Sequence, residues 1–239
     1  TRFQILMDDN FLKQMTDVLS GTKLNRFDFS YPAFYDSLDK ENFKAFLLGR
    51  NLKYLWINCY TDKFVDFFSI FDVKFLEEFL ANAPADPKCP PYLRVDQEEL
   101  PPHSIITRES LPIVGQYHTL RNTFIMMDPD VLIDLAMIHM EAGEWKCWEF
   151  ALTREITQAD VSNIDSTRYS TCLTMPPFPV EYEQQFHYDI SRKNSHIRCR
   201  IISSKTWTGH ITAKATITRE GKPCEEILEN LKGCENWYS

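Results

Sequence analysis

Residues 21–30 read GTKLNRFDFS, and residues 49–58 read GRNLKYLWIN. Both follow the pattern G-x-x-L-x-x-Φ-x-Φ-polar, in which Φ is a large apolar residue, and they lie 28 residues apart (49 − 21). Apolar residues at alternate positions predict a β-strand with one buried face. A repeat with a period of about 20–50 residues predicts an array of similar units packed side by side.

The segment before each glycine also repeats and has the periodicity of a helix. Its apolar residues fall at positions i, i+3 and i+4: Met15, Val18 and Leu19 in the first unit, and Phe43, Phe46 and Leu47 in the second. This spacing predicts a helix with one apolar face. Asp39 is the expected N-cap of the second helix, and a glycine after each helix predicts a left-handed C-terminal stop. Each unit is therefore a helix, a glycine and a short strand.

Neither unit could bury its apolar face alone, but parallel stacking buries both. We therefore predict an α/β fold: a leucine-rich-repeat-like βα solenoid with parallel strands. The pattern continues with looser spacing, which predicts helices at 73–80 and 129–140 and strands at 92–95, 120–126 and 145–152. The second of these helices is expected to begin after the cap Asp128 and to end at Gly143. Residues 83–102 hold six prolines. They are expected to form a loop within one solenoid, or alternatively a hinge between subdomains.

The pattern changes after residue 177. Three alternating runs, at 186–190, 197–201 and 210–217, are separated by polar turns at 192–195 and 203–206. They predict an antiparallel β meander with one solvent-exposed face, followed by a short helix at 224–231. The predicted domains are a βα repeat region at 1–177 and a C-terminal β-rich cap at 178–239.

Composition narrows the class of protein. The chain has 239 residues, with 26 lysines and arginines and 34 aspartates and glutamates. The resulting net charge of −8 disfavours binding to nucleic acid. Its seven scattered cysteines include no CxxC pair, which indicates a reducing compartment, cytoplasmic or nuclear. No signal peptide or membrane-length apolar run is found. Because the first residue is Thr1, we expect a fragment of a longer protein.

The chain contains no GxSxG, HExxH, P-loop or GxGxxG motif, so we expect no enzymatic activity and no cofactor. His196 and Cys199, with His187 and His210 from neighbouring strands, are the candidate ligands for a metal site, because zinc accepts histidine and cysteine ligands. Residues three apart in a strand face opposite sides, so no metal is expected. His139 lies in a helix rich in methionine and isoleucine and is expected to be a hydrogen-bonded boundary residue rather than a catalytic base.

The polar strand positions are the candidate binding site. In solenoids these positions line the concave surface, which is the usual binding surface. The candidate residues for a protein partner are Asp28, Tyr54, Trp56, Asn58 and Glu149. A tryptophan at an outward strand position is unusual, and tryptophan and tyrosine are favoured interface anchors. Alternatively, a neighbouring loop covers Trp56.

Residues 39–57, DKENFKAFLLGRNLKYLWI, resemble a recurring stretch in the F-box-associated regions of nematode F-box proteins, and residues 215–222, ATITREGK, resemble the end of such regions. The resemblance implies a module that recruits targets to a ubiquitin ligase. The chain contains no F-box, so a Skp1-like adaptor would be bound only through sequence outside it. The alternative is a stand-alone repeat scaffold or inhibitor that binds a protein partner without ubiquitin chemistry.

Overall fold

The computed structural model describes residues 6–21, 26–30, 33–34, 38–58, 67–83, 91–96, 104–174, 184–205 and 209–219. The chain divides into two compact units. The first comprises Thr1–Ile105 and Pro112–Ile125, and the second comprises Ile106–Leu111 and Met126–Ser239. Among the helices in these described ranges, none has the length and apolar character that crossing a membrane requires.

The strands are β1 Leu6–Met7, β2 Arg26–Ser30, β3 Ala33–Phe34, β4 Tyr54–Asn58, β5 Tyr92–Asp96, β6 Ser104–Ile106, β7 Thr119–Met127, β8 Lys146–Leu152, β9 Tyr169–Thr174, β10 Gln184–Arg192, β11 Ile197–Lys205 and β12 Ile211–Arg219. The α-helices are α1 Asp9–Val18, α2 Lys40–Leu48, α3 Val73–Asn82, α4 Leu111–Val114, α5 Pro129–Ala142 and α6 Gln158–Ser162. Short 3₁₀ helices cover Phe67–Ile70 and Arg108–Ser110.

Within the described residues, β1 and β3 form a small parallel pair, and the other ten strands form one mixed sheet. Its order is β2-β4-β5-β7-β8-β12-β11-β10-β9, and β6 pairs with β7. The pairs β2–β4, β4–β5 and β5–β7 are parallel. The pairs β8–β12, β12–β11, β11–β10 and β10–β9 are antiparallel. The prediction of a mixed α/β chain, parallel first and antiparallel later, is therefore confirmed.

The alternation of buried apolar residues sets the register of the parallel strands in the first unit. Phe27 pairs with Leu55, Leu55 pairs with Leu93, and Leu93 pairs with Leu120 on successive parallel strands. All four side chains are buried, and Phe27 meets Phe46 of α2 edge-on with 5.7 Å between ring centroids. The apolar face of these strands is thus the face that carries the helices.

Polar side chains join the helices of the first unit to one another. Arg50, after α2, donates to the carbonyl oxygens of Thr16 and Leu19 at 3.3 and 3.2 Å, where α1 ends. The Lys44 ammonium lies 2.8 Å from the Glu78 carboxylate and joins α2 to α3. A cation at a helix C-terminus satisfies carbonyl groups that the helix itself cannot. These contacts hold the neighbouring helices α1, α2 and α3 of the first unit at fixed distances from one another.

The predicted buried face of the first helix is only partly right. Val18 is 79% exposed, whereas its repeat equivalent, Phe46, is 7% exposed. Leu12 is buried instead, and Met15 and Leu19 are half-buried. These three residues lie at i, i+3 and i+7, so the apolar stripe of α1 passes beside Val18.

The two glycines that follow the repeated helices α1 and α2 also differ in backbone conformation. Gly21 has φ +79°, as expected for a left-handed stop, and Gly143 after α5 has φ +71°. The same expectation for Gly49 is wrong because its φ is −70°, and Asn51 takes the left-handed conformation at φ +52°. A Cβ at position 49 would lie 3.1 Å from the Ala45 carbonyl oxygen. Glycine at this position therefore allows close backbone packing rather than a positive φ.

Two buried polar side chains tie β7 and the segment before it to the α3 region. The Asn122 amide is fully buried, donates to the Phe71 carbonyl oxygen at 3.0 Å and accepts from the Phe124 backbone N–H at 3.0 Å. The Tyr117 hydroxyl donates to the Leu76 carbonyl oxygen at 2.7 Å. Burial raises the pKa of Tyr117 well above its usual value, so the hydroxyl stays a donor. Both side chains satisfy backbone groups that water cannot reach.

Antiparallel pairing and α5 organise the second unit. Ala215 of β12 pairs with Trp148 of β8, and both are buried.

The predicted turn at 203–206 starts too early because β11 extends to Lys205. Strand β9 was not predicted from the sequence. The predicted helix at 224–231 and the predicted domain boundary after residue 177 lie outside the described residues and stay predictions.

Glu141, near the end of α5, anchors β9 and β10. It accepts a hydrogen bond from the Tyr169 hydroxyl and lies 2.6 Å from the Arg168 guanidinium. Arg192, at the end of β10, contacts the Glu141 carboxylate at 3.2 Å and also donates to its backbone oxygen. One carboxylate thus holds the start of one strand and the end of the next, which a reading of local sequence does not reveal.

A buried lysine beside α5 carries an electrostatic cost. Lys146 is 3% exposed, and its ammonium lies 3.2 Å from the Glu144 carboxylate. The same carboxylate lies 2.8 Å from His139 Nδ1. Burial lowers the pKa of Lys146, although Glu144 opposes the shift, and burial likewise lowers the pKa of His139. Both pKa values are displaced toward the neutral side chain, so desolvation outweighs the carboxylate.

We expect Asn122→Ala to lower the free energy of unfolding by about 2–4 kcal/mol, because each buried polar group left without its partner costs about 1–3 kcal/mol. Urea unfolding followed by circular dichroism measures the change. Asn163→Ala, at an exposed asparagine, is the matched control and should change stability by less than about 0.5 kcal/mol. Equal effects of the two substitutions would contradict the role given to Asn122.

We expect Lys146→Met to leave the free energy of unfolding at neutral pH unchanged or to raise it, because the substitution removes a buried charge, and the partner carboxylate of Glu144, whose side chain is 48% exposed, stays solvated without it. The pKa of Lys146 is lower in the folded protein than its ordinary value of 10.5. The wild-type chain should therefore gain stability relative to the variant as pH rises through the folded-state pKa toward 10.5.

Urea unfolding of both proteins at several values from about pH 7 to about pH 10 measures this difference. Lys214→Met, at an exposed lysine of β12, is the matched control. A stability difference between wild type and Lys146→Met that falls, rather than rises, with pH would contradict the burial argument.

Candidate functional site

The second face of the parallel strands, opposite the apolar face, carries aromatic and charged side chains. Because strand residues alternate between faces, the neighbours of the buried Phe27, Leu55 and Leu93 lie together on this side. We call it the aromatic–arginine face, and it consists of Arg26, Asp28, Tyr54, Trp56, Tyr92, Arg94 and Arg121. All seven belong to the first unit.

The first row across the face is a stack of Arg26, Tyr54 and Tyr92, which occupy paired positions on β2, β4 and β5. The Arg26 guanidinium carbon lies 4.4 Å from the centroid of the Tyr54 ring. The rings of Tyr54 and Tyr92 stack at 4.2 Å with an interplanar angle of 8°. Burial, and next the neighbouring Tyr92, raise the pKa of Tyr54 above its usual value. The Tyr54 phenol therefore stays protonated at physiological pH.

The second row runs through Asp28, Trp56, Arg94 and Arg121, again at paired positions on successive strands. The Arg94 guanidinium carbon lies 4.8 Å from the centroid of the Trp56 ring. Asp28 forms an ion pair with Arg26 at 3.4 Å, which joins the two rows at the β2 end. Both members of this pair are well exposed, so it contributes little to stability and serves mainly to orient its side chains.

The structure brings together three of the five residues proposed from the sequence: Asp28, Tyr54 and Trp56 lie on neighbouring strands of one face. Asn58 ends β4 at the position paired with Asp96, and its side chain is outside the described part. Glu149 belongs to β8 in the second unit, where it pairs with Lys214. It does not belong to the aromatic–arginine face.

Sequence reasoning missed four residues of this face: Arg26, Tyr92, Arg94 and Arg121. The sequence contains a pattern that could have identified two of them, Tyr92 and Arg94. Residues 54–58 read YLWIN and residues 92–96 read YLRVD, which places Tyr92 at the position of Tyr54 and Arg94 at that of Trp56. The intervening proline-rich segment changes the spacing from 28 to 38 residues (92 − 54), and this hid the match.

The candidate metal ligands and His139 lie in the second unit. Within the described ranges, no three histidine, cysteine, aspartate or glutamate side chains are grouped so that they could hold a metal ion. Cys199 is fully buried, and its burial raises the pKa of the thiol to about 12, so it is held as the unreactive thiol. His139 contacts Glu144 and meets Trp148 edge-on at 5.2 Å between centroids, the packed and hydrogen-bonded environment expected for it.

No protein-family model, curated protein or solved structure matches this chain. The resemblance to F-box-associated regions therefore stays a prediction that rests on the motifs at 39–57 and 215–222. The geometry of the aromatic–arginine face is the remaining basis for a functional argument.

We expect the Trp56–Arg94 contact to contribute about 0.5–1 kcal/mol of coupling energy, the range for a cation over an aromatic ring at a partly exposed site. A double-mutant cycle with Trp56→Leu, Arg94→Gln and the double variant, measured by urea unfolding, isolates this energy. The matched cycle pairs Trp56→Leu with Arg198→Gln, an exposed arginine of the second unit, and should give no coupling. Additive effects of Trp56→Leu and Arg94→Gln would contradict the contact.

Proposed function

We propose that this chain is a non-catalytic protein-binding module and that the aromatic–arginine face binds the partner. The observation that carries the proposal is the alignment of Tyr54, Trp56 and Arg94 on adjacent strands, on the face opposite the helices. Tryptophan, tyrosine and arginine are the residue types most enriched among those that dominate interface energies. Stacking against neighbours restricts these side chains before binding, so binding loses less conformational entropy.

The finer fold proposed is a leucine-rich-repeat-like βα solenoid. It is supported by units in which a helix precedes a parallel strand, with α2 before β4 and α3 before β5, and by the constant register of those strands. Polar links such as Arg50 to the end of α1 and Lys44 to Glu78 connect neighbouring helices in the manner of stacked repeats. Repeat proteins of this kind present one strand face as an extended binding surface.

Within this class, we propose target recruitment for an F-box-type ubiquitin-ligase adaptor, acting in the cytoplasm or nucleus. The support is the resemblance of residues 39–57, which includes α2 and the start of β4, to F-box-associated regions. A Skp1-like adaptor would then bind through sequence outside this chain. The alternative is a stand-alone repeat scaffold or inhibitor that binds a protein partner without ubiquitin chemistry.

The test is comparative affinity purification from cells of the source organism. We expect a partner retained by the wild-type chain to be lost with Trp56→Ala or Arg94→Ala, each weakening binding by about tenfold or more, since interface hot spots cost about 2 kcal/mol or more when truncated. Lys13→Ala, at an exposed lysine of α1, is the control and should retain the partner. Binding that survives both face substitutions would contradict the proposal.

A second measurement separates the two forms of the proposal. If the partner is a degradation target, its half-life should lengthen on proteasome inhibition, and the full-length protein should co-purify with a Skp1-like adaptor. A stoichiometric partner whose level is unchanged by proteasome inhibition would support the scaffold or inhibitor instead.

A further inference from the structure

We propose that strand β9 is an edge for self-association, at which a second copy of this chain adds its own β9 in antiparallel orientation. This strand, Tyr169–Thr174, lies at one end of the strand order. Among the described strands, β10 is the one that pairs with it. The inference concerns the second unit and does not depend on the function proposed for the aromatic–arginine face.

The side chains of β9 are uncovered on both sides of the sheet. Strand residues alternate between faces, so the four exposed residues in the middle of β9 lie two on each side. They are Ser170, Thr171, Cys172 and Leu173. Leu173 is 42% exposed, although its pairing partner on β10, Tyr188, is 4% exposed. The packing that buries the core face of β10 therefore does not extend over the middle of β9.

The strand also lacks the features that protect an edge from pairing. Protected edge strands carry charged side chains, a proline or a β-bulge. The sequence of β9, YSTCLT, contains no charge and no proline, and its register with β10 runs from Tyr169 to Thr174 without a bulge. Three of its six residues are threonine or tyrosine, which favour strands. The edge is thus suited to accept another strand.

The direction of the backbone groups of β9 follows from one hydrogen bond. The Lys193 N–H donates to the Arg168 carbonyl oxygen at 2.8 Å, so these residues form a hydrogen-bonded pair just beyond the ladder. Hydrogen-bonded and non-hydrogen-bonded pairs alternate along antiparallel strands. The N–H and C=O groups of Thr171 and Leu173 therefore point away from β10. The Cys172 thiol, a weak donor, lies 3.9 Å from the Leu173 carbonyl oxygen.

Antiparallel pairing of two β9 strands has one register that uses all of these outward groups. When Cys172 lies opposite Cys172 of the second copy, Thr171 of each strand lies opposite Leu173 of the other, and each such pair exchanges two hydrogen bonds. A register centred on Thr171 instead places Leu173 opposite Tyr169. The Tyr169 N–H already donates to the Asp165 carbonyl oxygen at 3.0 Å, so that register leaves a Leu173 carbonyl without a donor.

A second copy fits this edge by charge and by face. In the register centred on Cys172 the paired residues are uncharged in both copies, so no like charges meet across the new pair. Leu173 lies beside Thr171 of the second copy, which covers part of its exposed surface. A pair of six-residue strands is small beside the roughly 1,200–2,000 Å² that stable interfaces bury, so the dimer is weak and its population depends on concentration.

Sedimentation equilibrium of the full chain, under reducing conditions and from about 1 μM to about 1 mM, measures the association. We expect the mean mass to rise from that of one chain toward twice that value. Leu173→Lys places a charge on the edge, and Thr171→Pro removes an outward N–H. Each should raise the dissociation constant by about tenfold or more. Ile138→Lys, at another exposed apolar residue of the second unit, is the matched control and should associate as the wild type does.

Disulfide formation tests the register. A non-hydrogen-bonded antiparallel pair places its Cα atoms about 4.5 Å apart, within the range of about 4.4–6.8 Å that disulfides span. Diamide oxidises two thiols to one disulfide and takes up their two electrons and two protons. We expect it to give a covalent dimer joined through Cys172, identified by mass spectrometry of the joined peptides. Cys172→Ser should lose this product and still associate in the centrifuge.

Three results overturn the inference: the mass of one chain at every concentration, equal association of the wild type and Leu173→Lys, or oxidation that gives no covalent dimer through Cys172. Association that survives Thr171→Pro but not Leu173→Lys also contradicts strand pairing, because it assigns the dimer to an apolar contact. Circular dichroism and urea midpoints equal to those of the wild type show that the variants are folded. Leu173→Lys keeps every backbone N–H, so it decides the question if Thr171→Pro unfolds.

Discussion

The strict alternation of apolar and polar residues in β2, β4 and β5 is the constraint on which the first unit depends. Parallel pairing in register places Phe27, Leu55 and Leu93 against the helices. A slip of one residue would exchange the two faces and carry Trp56 and Arg94 into the core. Burial of apolar area contributes about 25 cal/mol per Å², so the register with the apolar residues inside is strongly preferred.

The binding face follows from the same constraint. Once the apolar positions face the helices, the residues between them must lie on the other side, on strands about 4.8 Å apart. Long side chains at paired positions then contact each other across strands, which gives the stack of Arg26, Tyr54 and Tyr92 and the contact of Arg94 with Trp56. Packing of the core therefore also fixes the spacing of the groups proposed to bind a partner.

The second unit depends more on individual polar contacts. Its strands pair antiparallel, and Glu141 at the end of α5 holds the start of β9 and the end of β10 through Tyr169 and Arg192. The buried Lys146 is held by Glu144 at a cost in desolvation. The first unit repeats one arrangement, so its sequence carries a visible period. The contacts of the second unit occur once each and leave no such signal.

The sequence by itself determined the elements whose cause is local: the Φ-x-Φ strands at 27–29 and 55–57, the left-handed stop of α5 at Gly143 and the outward position of Trp56. The predicted cap of α5 by Asp128 is wrong in its contact, because the Asp128 carboxylate makes no side-chain capping hydrogen bond and accepts from the Thr153 hydroxyl instead. Alternation and helical spacing are properties of consecutive residues, so they can be read from the chain. Only the tertiary structure decided that Val18 is exposed, that Asn122 satisfies buried backbone groups, and that Arg94 lies over Trp56. These depend on residues far apart in sequence, and their positions are fixed only when strands and helices pack.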